Sequence, residues 1–412
     1  MQICIFEDEK YSDFYPLTYT RPVYELVCGI NTLREKIIRL SSGVNVSLHC
    51  RKYLIDVLKK QYPDLDINSI SENSCLFING RVHGSEYLTE IVSEDSEDCI
   101  YKNDYGIVAV KLSKDNLAKI KDNLTDTLDF ESFPELPVKK SEVKLYNFLW
   151  EMITDNGPEI IKDAGAIKKD RSDYTNTKDF IGVKFINAEK IFIKKNVNIK
   201  PGVVIDATNG VVYIDDDVLI YPNAVIEGPV YIGKNSKIKI GAAIYENVSI
   251  GSNCKIGGEV EDTIILPYTN KQHAGFIGHS YLGSWVNLGA DTNCSDLKNN
   301  YSTVKVKLNG RTIDTGIQFL GVIIGDHSKS AINTMFNTGT LIGISSNLFG
   351  AGFPDKYIPS FSWGGADGLT TYDLKKSIQT ARIVFGRRNK EFTIVDEKLL
   401  ETVFNLTKEE RE

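Results

Sequence analysis

Isoleucine recurs at six-residue spacing through the middle of this chain: at 193, 199 and 205, then, after one nine-residue step, at 214, 220, 226, 232, 238, 244, 250 and 256. Four residues after most of them stands a small residue: Val197, Val203, Val218, Ala224, Val230, Ser236, Ala242, Val248 or Cys254. A strict period of six fits neither an amphipathic helix nor a half-buried strand. It is the period of a parallel β-helix, in which each hexapeptide makes one flat side of a three-sided coil. The branched residue points into the prism and the small one fits the tight corner. Stacked coils then pair their backbone groups about 4.8 Å apart. Thr208-Asn209-Gly210, inside the longer step, reads as a loop extruded at a corner without loss of phase. A sandwich of short strands would show alternation and frequent turns instead.

At 412 residues, two domains are the default. A net charge of −7 gives no electrostatic case for nucleic acid or an anionic membrane surface. No apolar run is long enough for a bilayer span, and the N-terminus lacks the pattern of a signal segment. Seven cysteines lie scattered without CxxC pairs, so neither a disulfide framework nor a zinc knuckle is indicated. A reduced, cytoplasmic, soluble protein is the expectation.

Residues 1–150 follow a different grammar. Gln2–Phe6, Val44–His49 and Cys75–Asn79 read as strands, and Ile30–Leu40 and Lys52–Lys60 as helices. Such alternation implies an α/β layer with a parallel sheet, whose ligands sit beyond the carboxyl ends of the strands. Glu7-Asp8 and Asn79-Gly80-Arg81 are therefore expected near any pocket. Residues 151–180 read as a linker helix and charged arm, 181–355 as the β-helix, and 356–412 as a helical extension built on Tyr372–Arg388 and Glu397–Leu406. Leu282, Leu288, Cys294, Ile324, Ser330, Phe336, Ile342 and Leu348 carry the period on beyond Ile256. A polar insertion at 295–319 separates these two runs and reads as a projecting loop.

The segments Gly278-His279-Ser280-Tyr281-Leu282-Gly283 and Val286-Asn287-Leu288-Gly289-Ala290 give the chain a family resemblance. They resemble GHxxYLG and VNIGAG of the bifunctional UDP-N-acetylglucosamine diphosphorylase/glucosamine-1-phosphate N-acetyltransferases, the GlmU-like family, with one residue fewer between His279 and Tyr281. The strings at 17–23 (LTYTRPV), 294–302 (CSDLKNNYS), 325–340 (GDHSKSAINTMFNTGT) and 358–365 (IPSFSWGG) look like the variant branch known from Bacteroidetes. The resemblance implies an α/β nucleotidyltransferase-like domain followed by a left-handed β-helix with C-terminal helices, assembled as a homotrimer. It implies acetyl transfer from acetyl-CoA to a hexosamine 1-phosphate. Uridylyl transfer from UTP with Mg²⁺ would follow, giving UDP-N-acetylglucosamine.

By the same resemblance His279 is the general base, Tyr281 and Asn287 meet the sugar phosphate, and Ala290 lines the acetyl-CoA site. An imidazole titrates in the right range to take a proton from an amino sugar. Lys298 is a candidate phosphate partner, although the family's CNYDG is CSDLK here. His327 and Lys329 are candidates for the cofactor site. Arg382, Arg387 and Arg388 read either as coenzyme A contacts or as a solvated helix face. A structural hydrogen-bonding role is the competing reading for each histidine.

The N-terminal domain departs from the pattern. Ordinary sugar-phosphate nucleotidyltransferases carry LxxGxGTRxxxxxPK after the first strand, where glycines let the backbone wrap the triphosphate. This chain has no glycine before Gly29. Arg21 and Arg34 are the candidate phosphate cations, and Asn79 stands where a metal-binding aspartate is usual, beside Arg81. Asn is a poorer ligand for a hard cation, and Asp8 or Asp104 is the possible substitute, so the metal site stays open. Two rival readings remain. One is a nucleotidyltransferase for another sugar 1-phosphate with the β-helix as a trimerisation scaffold, and the other is a non-catalytic nucleotide-sugar-binding regulator.

Overall fold

The computed structural model describes residues 1–41, 43–84, 86–94, 97–122, 124–130, 133–167 and 173–412. The N-terminal sheet has seven strands: β1 (Gln2–Phe6), β2 (Asn45–Leu48), β3 (Asp66–Ile67), β4 (Ser74–Asn79), β5 (Cys99–Asn103), β6 (Gly106–Ser113) and β7 (Val138–Lys140), in the order β3-β2-β1-β4-β6-β5-β7. β1, β2, β3 and β4 run parallel, as expected of buried apolar strands, but β6 is antiparallel to both β4 and β5. The sheet is thus mixed rather than purely parallel. Helix α1 (Leu33–Leu40) starts at Thr32 with a reciprocal Thr32–Glu35 capping box. A buried Lys36, paired with Glu159 and with Asp163 at 2.8 Å, ties it to the long helix α3 (Leu149–Ile167) that follows a shorter α2 (Ile55–Gln61).

The isoleucines occupy the lumen of a left-handed β-helix. On one face Ile193, Ile214, Ile232, Ile250, Ile265, Leu282, Ile324, Ile342 and Ile358 stack in register through nine parallel strands. We call this the second face. The first carries Ile205, Ile226, Ile244, Val260 and Ile277, and the third carries Ile199, Ile220, Ile238, Ile256 and Lys271. Each residue touches its equivalents above and below, which is why the period tolerates so little variation. After Ile256 the inward positions fall at 260, 265, 271, 277 and 282, because the corners shorten. Coil strands continue to Ser362–Gly365, past the boundary at 355 read from the sequence. Helices α4 (Leu374–Gly386) and α5 (Ile394–Leu406) follow. The part of the charged arm at 168–172 lies outside the described residues.

The N-terminal domain lies against the outer side of the second face. Buried residues of both, among them Leu26, Trp150, Ile264, Leu266, Tyr281, Ile323 and Leu341, form one continuous apolar cluster. The insertion at 295–319 does not project freely. It folds into an antiparallel hairpin, Lys305–Leu308 against Arg311–Asp314, whose Val304, Val306 and Leu308 enter that same cluster. The alternating pattern Val304, Val306, Leu308 within a polar stretch is the local reason: one side of the hairpin is apolar and covered, the other is charged and wet.

Candidate functional site

His279 sits at the corner between the first and second faces, with φ near +45°, a left-handed conformation rare for a residue with a side chain. The corner is fixed by His279 N–H donating to Glu261 O (3.1 Å) and Gly321 N–H donating to His279 O (2.9 Å). Its ring lies between the carboxylates of adjoining coils: Nδ1 is 2.8 Å from Asp296 Oδ2, and Nε2 is 3.5 Å from Asp262 Oδ2. Phe319, at the end of the hairpin insertion, stacks on the imidazole with centroids 5.0 Å apart. Gly278 makes room for this, since a Cβ there would come within 2.5 Å of Asp296 Oδ2. Burial alone would pull the imidazole pKa down. The Asp296 hydrogen bond and the charges of Asp262, Asp296 and Glu261 outweigh it and hold the group above the usual 6.5. An Nδ1–H bound to Asp296 leaves the Nε2 lone pair as the proton acceptor.

Asp296, Asp262 and Phe319 were not singled out in the sequence. The period did carry a signal for the two carboxylates. Asp262, His279 and Asp296 each stand two places after an inward residue of the first face, Val260, Ile277 and Cys294. They therefore share one corner in successive coils.

A second site forms beyond the carboxyl ends of β1 and β4. A cavity of about 300 Å³ is lined by Asp8, Glu9, Lys10, Arg81, Lys102, Thr127 and Asp129, among others. Arg81 is fully buried and grips Asp8 through Nε (3.0 Å) and Nη2 (2.7 Å), and Asn79 Nδ2 donates to the same carboxylate at 2.8 Å. Asn79 is thereby a partner of Asp8 more than a ligand in its own right. Among the described residues no group of three or more His, Cys, Asp or Glu side chains could hold a metal ion. Magnesium commonly takes one or two carboxylates together with substrate phosphates. The carboxylates that line the cavity are Asp8, Glu9 and Asp129, of which Asp8 is already held by Arg81 and Asn79.

The remaining candidates scatter. Arg21 and Arg34 are far from a shared phosphate role with Arg81: they line a different cavity, of about 410 Å³, between the two domains and α4–α5. Arg34 is paired with Glu25 (2.6 Å) and Arg21 with Asp326. His327 lines that cavity too, in an aromatic group with Trp285 and Phe385, and burial pushes its pKa down to about 4. Tyr281 is buried under the N-terminal domain, where its hydroxyl accepts from Val27 N–H (2.9 Å) and donates to Val27 O (2.8 Å). That contact removes it from any open sugar site in this chain. Asn287 and Lys329 pair on the third face, and Ala290 follows at the corner between the third and first faces. Burial lowers the Lys329 ammonium to about 8, and Nζ donates to His327 O at 2.7 Å. Lys298 folds back onto Ser302 and Thr303 of its own loop. Arg388 reaches Asn270 on the third face at 2.6 Å, whereas Arg382 pairs with Glu397.

Residues 3–172 match the sugar nucleotidyl transferase family, and residues 229–261 match the bacterial transferase hexapeptide family (six repeats). The bifunctional protein GlmU of Methanococcus aeolicus is 27% identical over 339 residues, which cover 73% of each chain. This alignment is long enough to run through both domains in the same order. In its N-terminal part the chain resembles sugar nucleotidyl transferases, and over most of its length it resembles a bifunctional GlmU protein. A bifunctional sugar-1-phosphate nucleotidylyltransferase/acetyltransferase of Sulfurisphaera tokodaii is 29% identical over 117 residues. The chain spans 28% of that relative's length there, against 73% for the M. aeolicus protein. Of solved structures, an Arabidopsis UDP-N-acetylglucosamine acyltransferase overlaps 56% of this chain and 93% of its own, at 14% identity and a TM-score of 0.28, too loose to carry an argument.

Proposed function

We propose that this chain is a bifunctional transferase making UDP-N-acetylglucosamine. In the first reaction the amine of a hexosamine 1-phosphate, most simply glucosamine 1-phosphate, attacks the thioester carbonyl of acetyl-CoA. The C–N bond forms, the C–S bond breaks, and the coenzyme leaves as its thiol. His279 Nε2 takes the proton from the amine, and Asp296 holds the productive tautomer. In the second, the sugar phosphate attacks the α-phosphorus of UTP and pyrophosphate departs. Mg²⁺ would enter with the nucleotide, held by one or two of the carboxylates Asp8, Glu9 and Asp129, and would neutralise triphosphate charge. The observation that carries the reading is the His279 ring, half-buried at a strained corner with one nitrogen fixed by Asp296.

The acetyl site needs a neighbouring protomer. His279 lies at one corner of the prism, while Asn287, Lys329 and Ala290 lie on the third face and its far corner. These groups meet only if one protomer's corner faces another's, as in a cyclic trimer. Support comes from exposed apolar residues beside the first face: Val225 and Met335 on it, and Ile240 and Ile332 close by, 68% and 66% exposed. We place the protein in the cytoplasm, consistent with its seven buried cysteines, none of which is in a disulfide. Among the described residues no helix is long and apolar enough to cross a membrane.

The test is a mass-spectrometric product assay with glucosamine 1-phosphate, acetyl-CoA, UTP and Mg²⁺, omitting one component at a time. N-acetylglucosamine 1-phosphate without UTP, and UDP-N-acetylglucosamine with it, are expected. Accumulation of the acetylated sugar phosphate in the full mixture would refute the uridylyl step. No acetylation at all would refute the role of His279.

A further inference from the structure

The segment that replaces the glycine loop ends the nucleotide cavity on one side and docks the β-helix on the other. Lys10 lines the cavity, with its side chain about half exposed, and its Nζ lies 3.7 Å from Asp13 Oδ2. Asp13 is buried, and its other oxygen accepts from Arg311 Nη2 at 2.8 Å. Arg311 belongs to the hairpin insertion, whose Asn309 Nδ2 also donates to Ser12 O at 3.0 Å. The two ends of the insertion lead to the other site: Asp296 to His279 Nδ1, and Phe319 to the face of its ring. One carboxylate is therefore shared between a cation in the first cavity and a cation on the element that frames His279.

We propose that Lys10 is a phosphate-binding residue of the N-terminal cavity, and that its departure from Asp13 on binding transmits nucleotide occupancy through Arg311 and the hairpin to His279. The proposal rests on the reading of the cavity as a nucleotide site. Phosphate oxygens compete with Asp13 for Lys10, because an ammonium near a multiply charged phosphate gains more than near one carboxylate. Among the described residues Asp13 then has Arg311 as its sole cationic partner, and the hairpin is drawn toward the N-terminal domain. Asp296 and Phe319 move with the hairpin ends, against Asp262 and Glu261 on the preceding coil, which stay with the rigid β-helix. Linkage makes the effect reciprocal: whatever favours one arrangement of the hairpin at His279 changes nucleotide affinity by the same factor.

Two measurements on the full chain test this. Calorimetric titration with Mg-UTP, and separately with pyrophosphate, should show Lys10→Gln binding about tenfold more weakly than the unaltered chain. Unchanged affinity for both probes overturns the assignment of Lys10. No binding of either probe to the unaltered chain sinks the nucleotide reading itself. Next, the His279 imidazole is titrated by NMR, its signal assigned among the five histidines by His279→Asn. Saturating Mg-UTP should move its midpoint by about half a unit or more, and Arg311→Gln should abolish that movement while leaving Mg-UTP affinity within about twofold. A midpoint that ignores Mg-UTP, or a shift that survives in Arg311→Gln, refutes the relay. Neither readout depends on acetyl transfer.

Discussion

His279 faces two carboxylates, which favours a proton on the ring, and a base must be free to accept one. The amine it is proposed to serve is itself an ammonium near neutrality, so a base somewhat stronger than free imidazole is well matched to it. The acid limb of acetyl transfer should accordingly lie above 6.5, the ordinary value, with activity rising as the ring loses its proton. Asp296→Asn removes the largest favourable partner and should move that limb to lower pH, with a fall in rate of about tenfold or more as the tautomer is freed. Gly278→Ala should mimic it, since its new methyl lands on Asp296. A pH–rate profile unmoved by either change would deny Asp296 its role. Stability carries the same sign. The folded pKa is raised, so this contribution is complete below the unfolded value and is lost as pH climbs through the folded one.

Spacing sorts isoleucines that look alike. Ile250 and Ile240 differ only in phase, yet Ile250 is fully buried in the lumen and Ile240 is 68% exposed. Ile250→Ala should cost about 3 kcal/mol in chemical denaturation. Ile240→Ala should stay within about 0.5 kcal/mol for the folding of one chain, and Ile240→Asp should shift the proposed trimer toward monomer in light scattering. An undisturbed oligomer would remove that flank from the interface. The repeat was legible because coil stacking makes every sixth residue meet its own equivalents, so the constraint is local in sequence. Strands β1, β2 and β4 were legible from their apolar runs, but β3, β5, β6 and β7 were not read, and the reversed direction of β6 leaves no mark on composition. The hairpin reads from the sequence as a projecting loop because Val304, Val306 and Leu308 are too few to stand out among Asn, Lys and Gly. Tyr281 was misplaced for a different reason. An outward residue on a β-helix face tells nothing about what covers that face, and here the cover is the N-terminal domain.

The missing glycine loop becomes intelligible once the two domains are taken together. Residues 12 to 29, where a triphosphate cradle is usual, instead hold the β-helix. Ser12 and Asp13 meet the hairpin, Thr20 and Arg21 meet Asp326, Val27 meets Tyr281, and Gly29 O accepts from Ser249. A chain cannot wrap phosphates with the stretch of backbone that it uses for docking. Asp326 is the centre of that contact, because its Oδ2 accepts from Thr20 Oγ1 at 2.8 Å and pairs with Arg21, while its Oδ1 accepts from Ser284 N–H at 2.8 Å. Gly283 must stay small beside it, a Cβ there lying 2.5 Å from Asp326 Oδ1. Asp326→Ala therefore strips three partners at once and strands the Arg21 guanidinium at the rim of the interdomain cavity. Arg21 keeps some access to water, so the cost should be about 2 kcal/mol rather than that of a fully buried pair. It should fall on the docking and not on either core. Calorimetry of the variant should then resolve two transitions, the N-terminal domain melting first, where the unaltered chain shows one. A single transition at an unchanged temperature would mean that the apolar cluster around Leu26, Leu266 and Tyr281 holds the domains together without this carboxylate.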